Sequence, residues 1–246
     1  MNKNPYIHHK KIHNIGSAKR MVDFIYELFR PTSVVDFGCG VGNFLYAFKE
    51  LGVKSVLGLD GEWVNKNQLS EFLQSDEFRS VDLTSSIDVG KNYGIALSLE
   101  VAEHLSDKSA TQFIKNITKA SEIVVFSAAV PYQGGQNHLN EQWPEYWERI
   151  FEEFGYEKYD LIRPLIWNEP DIPVWYKQNT FVYVKGILDL EIEKRLFQPN
   201  TRFIHPDLYH YKAKQLEIIQ SGKYTFDGYL RIFGKAVLRF LKLYNK

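Results

Sequence analysis

The stretch Val34–Gly42, VVDFGCGVG, places three alternating glycines directly after an apolar run. The apolar run is typical of a buried strand, and the segment that follows, NFLYAFKELG, has apolar residues at helical spacing. Glycine lets the backbone turn tightly and approach a ligand where any Cβ would clash, and a helix N-terminus presents free N–H groups. The stretch therefore predicts a strand, a ligand-binding loop and a helix in succession.

Strands and helices continue to alternate after this loop. Strand patterns occur in KSVLGLDG, FRSVDL, YGIALSLE and EIVVFSAAV, and later in YEKYDLIRP and NTFVYVKG. Helical patterns occur in residues 18–29, in SATQFIKNITKAS and in WPEYWERIFEEFG. This alternation predicts a doubly wound α/β domain, in which a mostly parallel sheet has helices on both faces and binds its ligand above the carboxyl ends of the strands.

The composition fits one folded domain with additions. Of the 246 residues 44% are hydrophobic, and 30 basic side chains balance 30 acidic ones. A balanced charge offers no overall field for nucleic acid, so we expect no nucleic-acid partner. The single cysteine, Cys39, fits a reducing compartment, and the basic N-terminus lacks the apolar segment of a secretory signal. We therefore expect a cytoplasmic protein without a transmembrane span.

The spacing of the glycines separates the nucleotide-binding families. A dinucleotide-binding G-x-G-x-x-G needs its third glycine where this chain has Asn43, which leaves a NAD-dependent oxidoreductase as a remote alternative. Asp36 precedes a G-x-G-x-G, and at this point the chain resembles the class I S-adenosylmethionine-dependent methyltransferases. The resemblance implies that the acid and the loop hold the methionine part of that cofactor, through Asp36, Gly38, Gly40 and Gly42.

Two further acids follow in the order that the family shows. Asp60, followed by Gly61, ends the second strand and is placed to accept hydrogen bonds from both ribose hydroxyls. Trp63 either covers the adenine or packs on the following helix. Asp82 and Leu83 match the family position that contacts the adenine edge. For each acid, a solvated carboxylate at a strand end is the alternative interpretation.

The fourth strand runs into SLEVAEHL, which brings two acids and a histidine together. Glu100 lies where the family contacts the cofactor. If the chain turns helical after Glu100, Glu103 and His104 face the same cleft. The pattern E-x-x-E-H is similar to that of ubiquinone-type O-methyltransferases, where related positions hold a divalent cation, so Glu100, Glu103 and His104 are alternative metal ligands. Acid/base catalysis or substrate contact, and a structural role, are the other interpretations; we predict no metal.

The segment after the fifth strand, PYQGGQNHLNEQW, crosses above the cofactor in a doubly wound domain and so becomes the predicted acceptor wall. His138 is the first candidate for the base and His104 the second, because imidazole titrates near neutral pH. A hydrogen bond within the loop is the alternative role of His138. The predicted acceptor contacts are Tyr132, Gln133, Asn137, Glu141, Trp143, Asn168 and Trp175.

A more specific resemblance extends over roughly residues 15–185. The strings SLEVAEHL, FSAAVPYQGGQNHLNEQWPEYW, IRPLIWN and WYKQN, in this order, look like a group of bacterial methyltransferases associated with capsule and other surface-polysaccharide biosynthesis. This kinship implies O-methylation of a sugar or small polar group, with S-adenosylhomocysteine as the second product. Methylation of an amine or of a phosphorylated headgroup is the alternative.

The domain organisation follows from the same patterns. We expect residues 1–186 to form a Rossmann-like methyltransferase domain of seven strands, mostly parallel with a final antiparallel strand. Within it, residues 1–30 form an N-terminal lid or helix, and residues 128–180 bind the acceptor. Residues 187–246 form a helical extension that ends in a basic amphipathic helix. That helix either docks on the core with a solvated basic face, which we favour, or contacts the inner membrane face.

Overall fold

A computed structural model of the chain describes residues 15–186 and 204–240. The chain divides into two compact units between Phe203 and Ile204. The N-terminal HHKKIH stretch of the predicted lid, the first part of the predicted extension and the last six residues of its basic helix lie outside the described residues. Among the described residues, no helix has both the length and the apolar character that a membrane crossing requires.

The first unit is built on one sheet of seven strands in the order β3-β2-β1-β4-β5-β7-β6. The strands β1 to β5 are parallel to one another, and β7 runs antiparallel to both β5 and β6. The predicted mostly parallel, doubly wound sheet is therefore confirmed. The strands are β1 (Ser33–Phe37), β2 (Ser55–Asp60), β3 (Phe78–Ser80), β4 (Ile95–Leu99), β5 (Ile123–Ser127), β6 (Tyr156–Tyr159) and β7 (Phe181–Lys185).

Helices cover both faces of this sheet. Successive strand side chains point to opposite faces, so Val34 of β1 joins one apolar cluster and Val35 joins the other. The first cluster is closed by α1 and α2, and the second by α4 and α5. The helices of this unit are α1 (Ile15–Phe29), α2 (Asn43–Glu50), α3 (Lys66–Leu69), α4 (Asp107–Ala120), α5 (Pro144–Glu152), α6 (Arg163–Ile166) and α7 (Val174–Asn179).

Two strands end earlier than the sequence patterns predict. The pattern FRSVDL continues to Leu83, but β3 ends at Ser80. Asp82 turns the chain there by accepting hydrogen bonds from the backbone N–H and hydroxyl of Thr84 and from the hydroxyl of Ser85. The pattern YGIALSLE continues to Glu100, but β4 ends at Leu99, because Glu100 has a left-handed backbone with φ 57°. The turn predicted after Glu100 is present as a short 3-10 helix, Ala102–His104.

The second unit consists, within the described residues, of the helices α8 (Pro206–Gln220) and α9 (Phe226–Phe240). The predicted C-terminal extension is therefore helical where it is described. One face of α9 is apolar and exposed, through Phe226, Leu230, Phe233, Val237 and Phe240. Arg231, Lys235 and Arg239 recur at helical spacing on its other side.

Candidate active site

The glycine loop after β1 has a backbone that only glycine fits. Gly38 and Gly42 have φ values of 88° and 90°, in the left-handed region. A Cβ on Gly38 would lie 2.4 Å from the side chain of Val101, and one on Gly42 would lie 2.7 Å from the side chain of Leu73. Gly42 also begins α2 as its N-cap. The loop thus lies tightly against its surroundings and directs the N-terminus of α2 towards the carboxyl edge of the sheet.

Asp60 fixes the position of this loop. Its side chain is 7% exposed at the end of β2. The carboxylate accepts a hydrogen bond of 2.8 Å from the backbone N–H of Gly40 and one of 2.6 Å from the N–H of Gly61. Asp60 therefore lies next to the glycine loop and orders the backbone there. Its contact with a ribose stays a prediction.

Asp36 is the second buried carboxyl beside the loop. It is 3% exposed on β1, and burial, with the charge of Asp60 added, raises its pKa to about 8. Two carboxyls that share a buried site disfavour each other's ionisation, whereas a cation bound between them would stabilise both charges. The two buried carboxyls beside the loop therefore favour a ligand that carries positive charge.

The residues predicted around the adenine occupy the adjoining edge. The indole ring of Trp63 lies on Gly61, where an added Cβ would be 2.2 Å from the ring, and Trp63 is 39% exposed. Asp82 accepts hydrogen bonds from the backbone N–H and hydroxyl of Thr84 and from the hydroxyl of Ser85, which lower its pKa. Leu83 is buried. Asp82 thus stabilises the turn in which it lies. Its contact with an adenine stays a prediction.

Glu100 is held by two side-chain amides that come from distant parts of the chain. Gln133 donates a hydrogen bond of 2.8 Å to one oxygen of Glu100, and Asn179 donates one of 3.0 Å to the other. Asn179 also donates to the side-chain oxygen of Gln133, at 2.8 Å. Burial raises the pKa of Glu100, and the two amides act in the opposite direction. Sequence reasoning missed Asn179, whose only signal was its place in WYKQN before the last strand.

Glu103 occupies the interior of the site. Its side chain is 0% exposed, and neither carboxylate oxygen accepts a hydrogen bond of normal geometry from the described residues, although the backbone N–H groups of Glu103 and Ala129 act to lower its pKa. Burial, with the neighbouring Glu100 added, holds its pKa well above its usual range. The backbone oxygen of Glu103 accepts from the N–H groups of Leu139 and Asn140, at 2.8 and 3.0 Å. These bonds fasten the loop after β5 over the Glu103 side of the site.

His138 is oriented by a carboxylate within that loop. Its Nδ1 lies 2.8 Å from an oxygen of Glu141. Glu141 also accepts from the backbone N–H groups of Tyr132 and Gly134, at 2.8 and 2.6 Å. The His138 ring lies so close to Gly135 that an added Cβ there would be 2.1 Å from Nε2. Glu141 therefore orders the loop and the ring, and its predicted contact with an acceptor stays a prediction.

His104 lies beside His138. The two rings meet edge to face, with centroids 4.8 Å apart. Burial lowers the pKa of His104 to about 4, and His138 acts in the same direction, while hydrogen bonds to the backbone of Asn137 and Gln136 oppose the shift. At neutral pH His104 is consequently an uncharged imidazole. Its low pKa makes it a weak base, so His138 is the better candidate of the two.

The remaining predicted acceptor residues are spread more widely. Tyr132 is 88% exposed, and both it and Asn137 have left-handed backbones. Trp143 is half-buried at the start of α5, and Asn168 is exposed. Trp175 packs edge-on against Tyr176, with ring centroids 6.1 Å apart. The structure therefore brings Gln133 to Glu100 and Glu141 to His138. The acceptor contacts of all the predicted residues stay predictions.

The comparisons with known proteins agree with this fold. Residues 9–161 match the family model described as a methyltransferase domain. No curated protein matches the chain in sequence. Among solved structures, DesVI of Streptomyces venezuelae is 12% identical, with 74% of this chain and 100% of that chain covered and a TM-score of 0.54.

Two further solved structures are similar to this chain. CalS10 of Micromonospora echinaspora, an amino pentose methyltransferase with bound SAM, is 14% identical over 70% of this chain and 91% of that chain, with a TM-score of 0.54. Human N-acetylserotonin methyltransferase is 14% identical over 69% of this chain, with a TM-score of 0.49. The match spans about half of the human protein, 52%. Sequence identities this low show a shared fold alone. The family model, in contrast, covers more than half of the sequence, and the chain therefore belongs to the methyltransferase domain family.

Proposed function

We propose that this methyltransferase transfers the methyl group of S-adenosylmethionine to a hydroxyl of a small polar acceptor, a sugar or saccharide used in surface-polysaccharide biosynthesis. The observation that carries the proposal is the pair of His138 and Glu141, 2.8 Å apart, on the loop after β5. A carboxylate-oriented imidazole beside a predicted cofactor site is the arrangement that deprotonation of an acceptor requires.

The charges around the glycine loop support this cofactor. S-adenosylmethionine carries an ammonium and a sulfonium, and the loop has two buried carboxyls beside it, Asp36 and Asp60. A dinucleotide would bring a pyrophosphate to the same loop, where these acids would repel it. CalS10 and the human enzyme bind SAM in their solved structures. A cationic cofactor therefore fits the loop better than NAD.

The reaction would be an in-line displacement at the sulfonium methyl. The bond from sulfur to the methyl carbon breaks as the bond from the acceptor oxygen forms, and the sulfur leaves as S-adenosylhomocysteine. Because the sulfonium is already a good electrophile, the protein mainly aligns the acceptor, which contributes up to ~7–11 kcal/mol in favourable cases. The acceptor hydroxyl also loses a proton. His138 can accept it at Nε2, because Glu141 holds Nδ1 in the donor role.

The proposed class of acceptor is supported by the side chains of the loop after β5 and by the resemblance of the sequence to surface-polysaccharide methyltransferases. Polar side chains of the loop and the exposed Tyr132 suit a hydroxylated ligand, since aromatic faces pack on the apolar faces of sugars. CalS10 acts on an amino pentose, which makes an amine-bearing sugar the second candidate. We place the reaction in the cytoplasm, which a single, buried cysteine supports.

The test is a transfer assay with S-adenosylmethionine labelled in its methyl group. The acceptors are a panel of free sugars, nucleotide-linked sugars and amino sugars, and the product's methyl position is assigned by NMR. We expect label on a sugar oxygen. Label on nitrogen would support the amine alternative, and a protein that binds the cofactor yet labels no acceptor in the panel would contradict the proposal.

A further inference from the structure

We propose that Asn179 is a positioning residue for methyl transfer, which fixes the loop after β5 and, through that loop, the ring of His138. Asn179 is the last residue of α7, and it is 3% exposed. Its effect on the loop follows from hydrogen bonds between described residues alone. Its effect on the reaction rests on the proposed function, in which His138 accepts the proton of the acceptor.

The side chains of Glu100, Gln133 and Asn179 form a closed set of hydrogen bonds, here called the Glu100 anchor. The Asn179 amide donates to Glu100 at 3.0 Å and to Gln133 at 2.8 Å, and Gln133 donates to the other oxygen of Glu100 at 2.8 Å. The backbone N–H of Glu100 donates to the backbone and side-chain oxygens of Ser127, at 3.0 Å each. The amide of Gln133 is thus held at both its nitrogen and its oxygen, against a fixed point at the end of β4.

The orientation of the Asn179 amide follows from its partners. Only its nitrogen can donate, and the atoms that this nitrogen meets in Glu100 and Gln133 are oxygens. Its own side-chain oxygen is buried and has no hydrogen-bond partner among the described residues. A buried amide oxygen without a partner costs stability, so stability alone does not account for an asparagine at this position. The two bonds that its nitrogen donates are what this side chain supplies.

Gln133 connects the Glu100 anchor to His138. The residues on either side of Gln133, Tyr132 and Gly134, donate their backbone N–H groups to the two oxygens of Glu141, at 2.8 and 2.6 Å. Glu141 also lies 2.8 Å from Nδ1 of His138. A displacement of Gln133 therefore moves the two donors that hold Glu141, and Glu141 is the group that orients the imidazole.

The two halves of the loop are held in different ways. Leu139 and Asn140, in the second half, donate their backbone N–H groups to the backbone oxygen of Glu103, at 2.8 and 3.0 Å. Neither bond involves an atom of the Glu100 anchor. Loss of the Asn179 amide should therefore free residues 132–134 and leave the second half in place, so the loop contains its own control.

Hydrogen exchange of single backbone amides, followed by NMR on the full chain, measures the order of the loop without an acceptor. Asn179→Ala should speed exchange at residues 132–134 by about 10-fold, the factor that corresponds to the loss of one hydrogen bond to a charged group. Exchange at residues 139–140 should stay as in the parent. Asn179→Asp keeps the volume of the side chain but cannot donate, and it places a second carboxylate beside Glu100. It should speed exchange at least as much as Asn179→Ala does.

Two further variants test whether Asn179 acts through Gln133. Gln133→Ala changes a residue of the loop and not of the core, so it gives an answer even if the Asn179 variants fold poorly. The double variant should exchange at residues 132–134 as Gln133→Ala alone does, because Asn179 reaches the loop only through Gln133. Tyr156→Phe is the matched control. It removes a hydroxyl that donates to the backbone oxygen of Ser121, before β5 and not after it, and should leave exchange in the loop unchanged.

The effect on the reaction is measured with the acceptor that the labelled-methyl assay identifies, at saturating cofactor and acceptor and well below Tm. Asn179→Ala should lower kcat by roughly 10–100-fold, since a displacement of about 1 Å in a reacting group costs up to that factor. Tyr156→Phe also loses a buried hydrogen bond, yet it should keep the kcat of the parent. This difference separates a positioning role from a purely structural one.

The possible outcomes are distinct. Exchange at residues 132–134 that is the same in the parent, in Asn179→Asp and in Gln133→Ala overturns the proposal. Faster exchange with an unchanged kcat would show that Asn179 orders the loop without serving the reaction, and would overturn its positioning role. If no acceptor is methylated, the proposed function fails, whereas the exchange rates still decide whether Asn179 fixes the loop.

Discussion

Asp36 links the candidate cofactor site to the stability of the protein. Burial, and then Asp60, raise its pKa from 3.8 to about 8. Between these values the folded state holds a proton that the unfolded state has released, so the free energy of unfolding falls as the pH rises from about 4 to about 8 and then levels off. The site is thus destabilised at working pH unless a cationic ligand binds there.

We therefore expect Asp36→Asn to stabilise the ligand-free protein at pH 8. The amide stays neutral, so the variant should gain on the order of a few kcal/mol relative to the parent at pH 8 and almost nothing at pH 4. Thermal melting across this pH range measures the difference. Asp82→Asn is the matched control, because Asp82 is exposed and its pKa is lowered by its own turn. Parallel melting curves for Asp36→Asn and the parent would contradict the assignment.

His138 is the candidate base, and its replacement tests that role. His138→Ala should lower kcat by roughly 10²–10⁴-fold, the usual contribution of a positioned acid or base, and leave the affinity for S-adenosylmethionine unchanged. Steady-state kinetics and cofactor titration measure the two quantities. His210→Ala, on α8, should behave as the parent does in both. Near-normal turnover in His138→Ala would remove His138 from the reaction.

The glycine loop is the element that allows a stability test with an internal control. Gly42 and Gly52 both have left-handed backbones, with φ values of 90° and 93°. A Cβ on Gly42 meets the side chain of Leu73 at 2.7 Å, whereas a Cβ on Gly52 meets nothing within 4 Å. Gly52→Ala should therefore cost ~1–2 kcal/mol for its backbone conformation. Gly42→Ala should cost ~1–3 kcal/mol more for overpacking.

Urea denaturation measures the free energy of unfolding of Gly42→Ala and Gly52→Ala. Cofactor titration adds a second readout, since Gly52 lies at the end of α2 and away from the loop. We expect only Gly42→Ala to weaken binding of S-adenosylmethionine. Equal loss of unfolding free energy in the two variants would mean that the side chain of Leu73 moves aside without destabilising the protein.

The elements also show what a single sequence can predict. β1, the glycine loop and α2 follow from local patterns, because apolar spacing and glycine chemistry act over a few residues. The contact of Asn179 with Glu100 spans 79 positions and arises because β7 lies beside β5 in the sheet. Likewise the pattern identified His138 as a candidate base but not Glu141 as its partner, since that pairing depends on the folded path of the loop.

The helix α9 carries a prediction about membranes. Its exposed apolar face and its basic side are the features of a helix that lies on an anionic lipid surface. We expect the full chain to sediment with vesicles that contain anionic lipid at low salt, and to be released as salt rises. A chain truncated at Asp227 should stay in solution. Binding that is absent, or that survives the truncation, would favour the interpretation of a docked terminal helix.

At the scale of the whole molecule, ligand binding should report the cofactor through global stability. The loop and both acids belong to the first unit, whose sheet joins all seven strands, so a ligand held there resists unfolding of that sheet. At a concentration 100 times its Kd, a ligand that binds only the folded state adds ~2.7 kcal/mol. For a protein of this size each kcal/mol raises Tm by ~2–4 °C.

S-adenosylmethionine and S-adenosylhomocysteine at saturation should therefore raise Tm by ~5–11 °C. NAD should produce no shift, because its pyrophosphate would face Asp36 and Asp60. The Gly42→Ala variant should lose most of the increase in Tm from S-adenosylmethionine, whereas Gly52→Ala should keep it. This difference would show that the increase depends on the glycine loop and not on the overall stability of the variant. A shift with NAD and none with S-adenosylmethionine would instead favour the oxidoreductase alternative, and would show that Asp36 and Asp60 do not exclude a pyrophosphate from the loop.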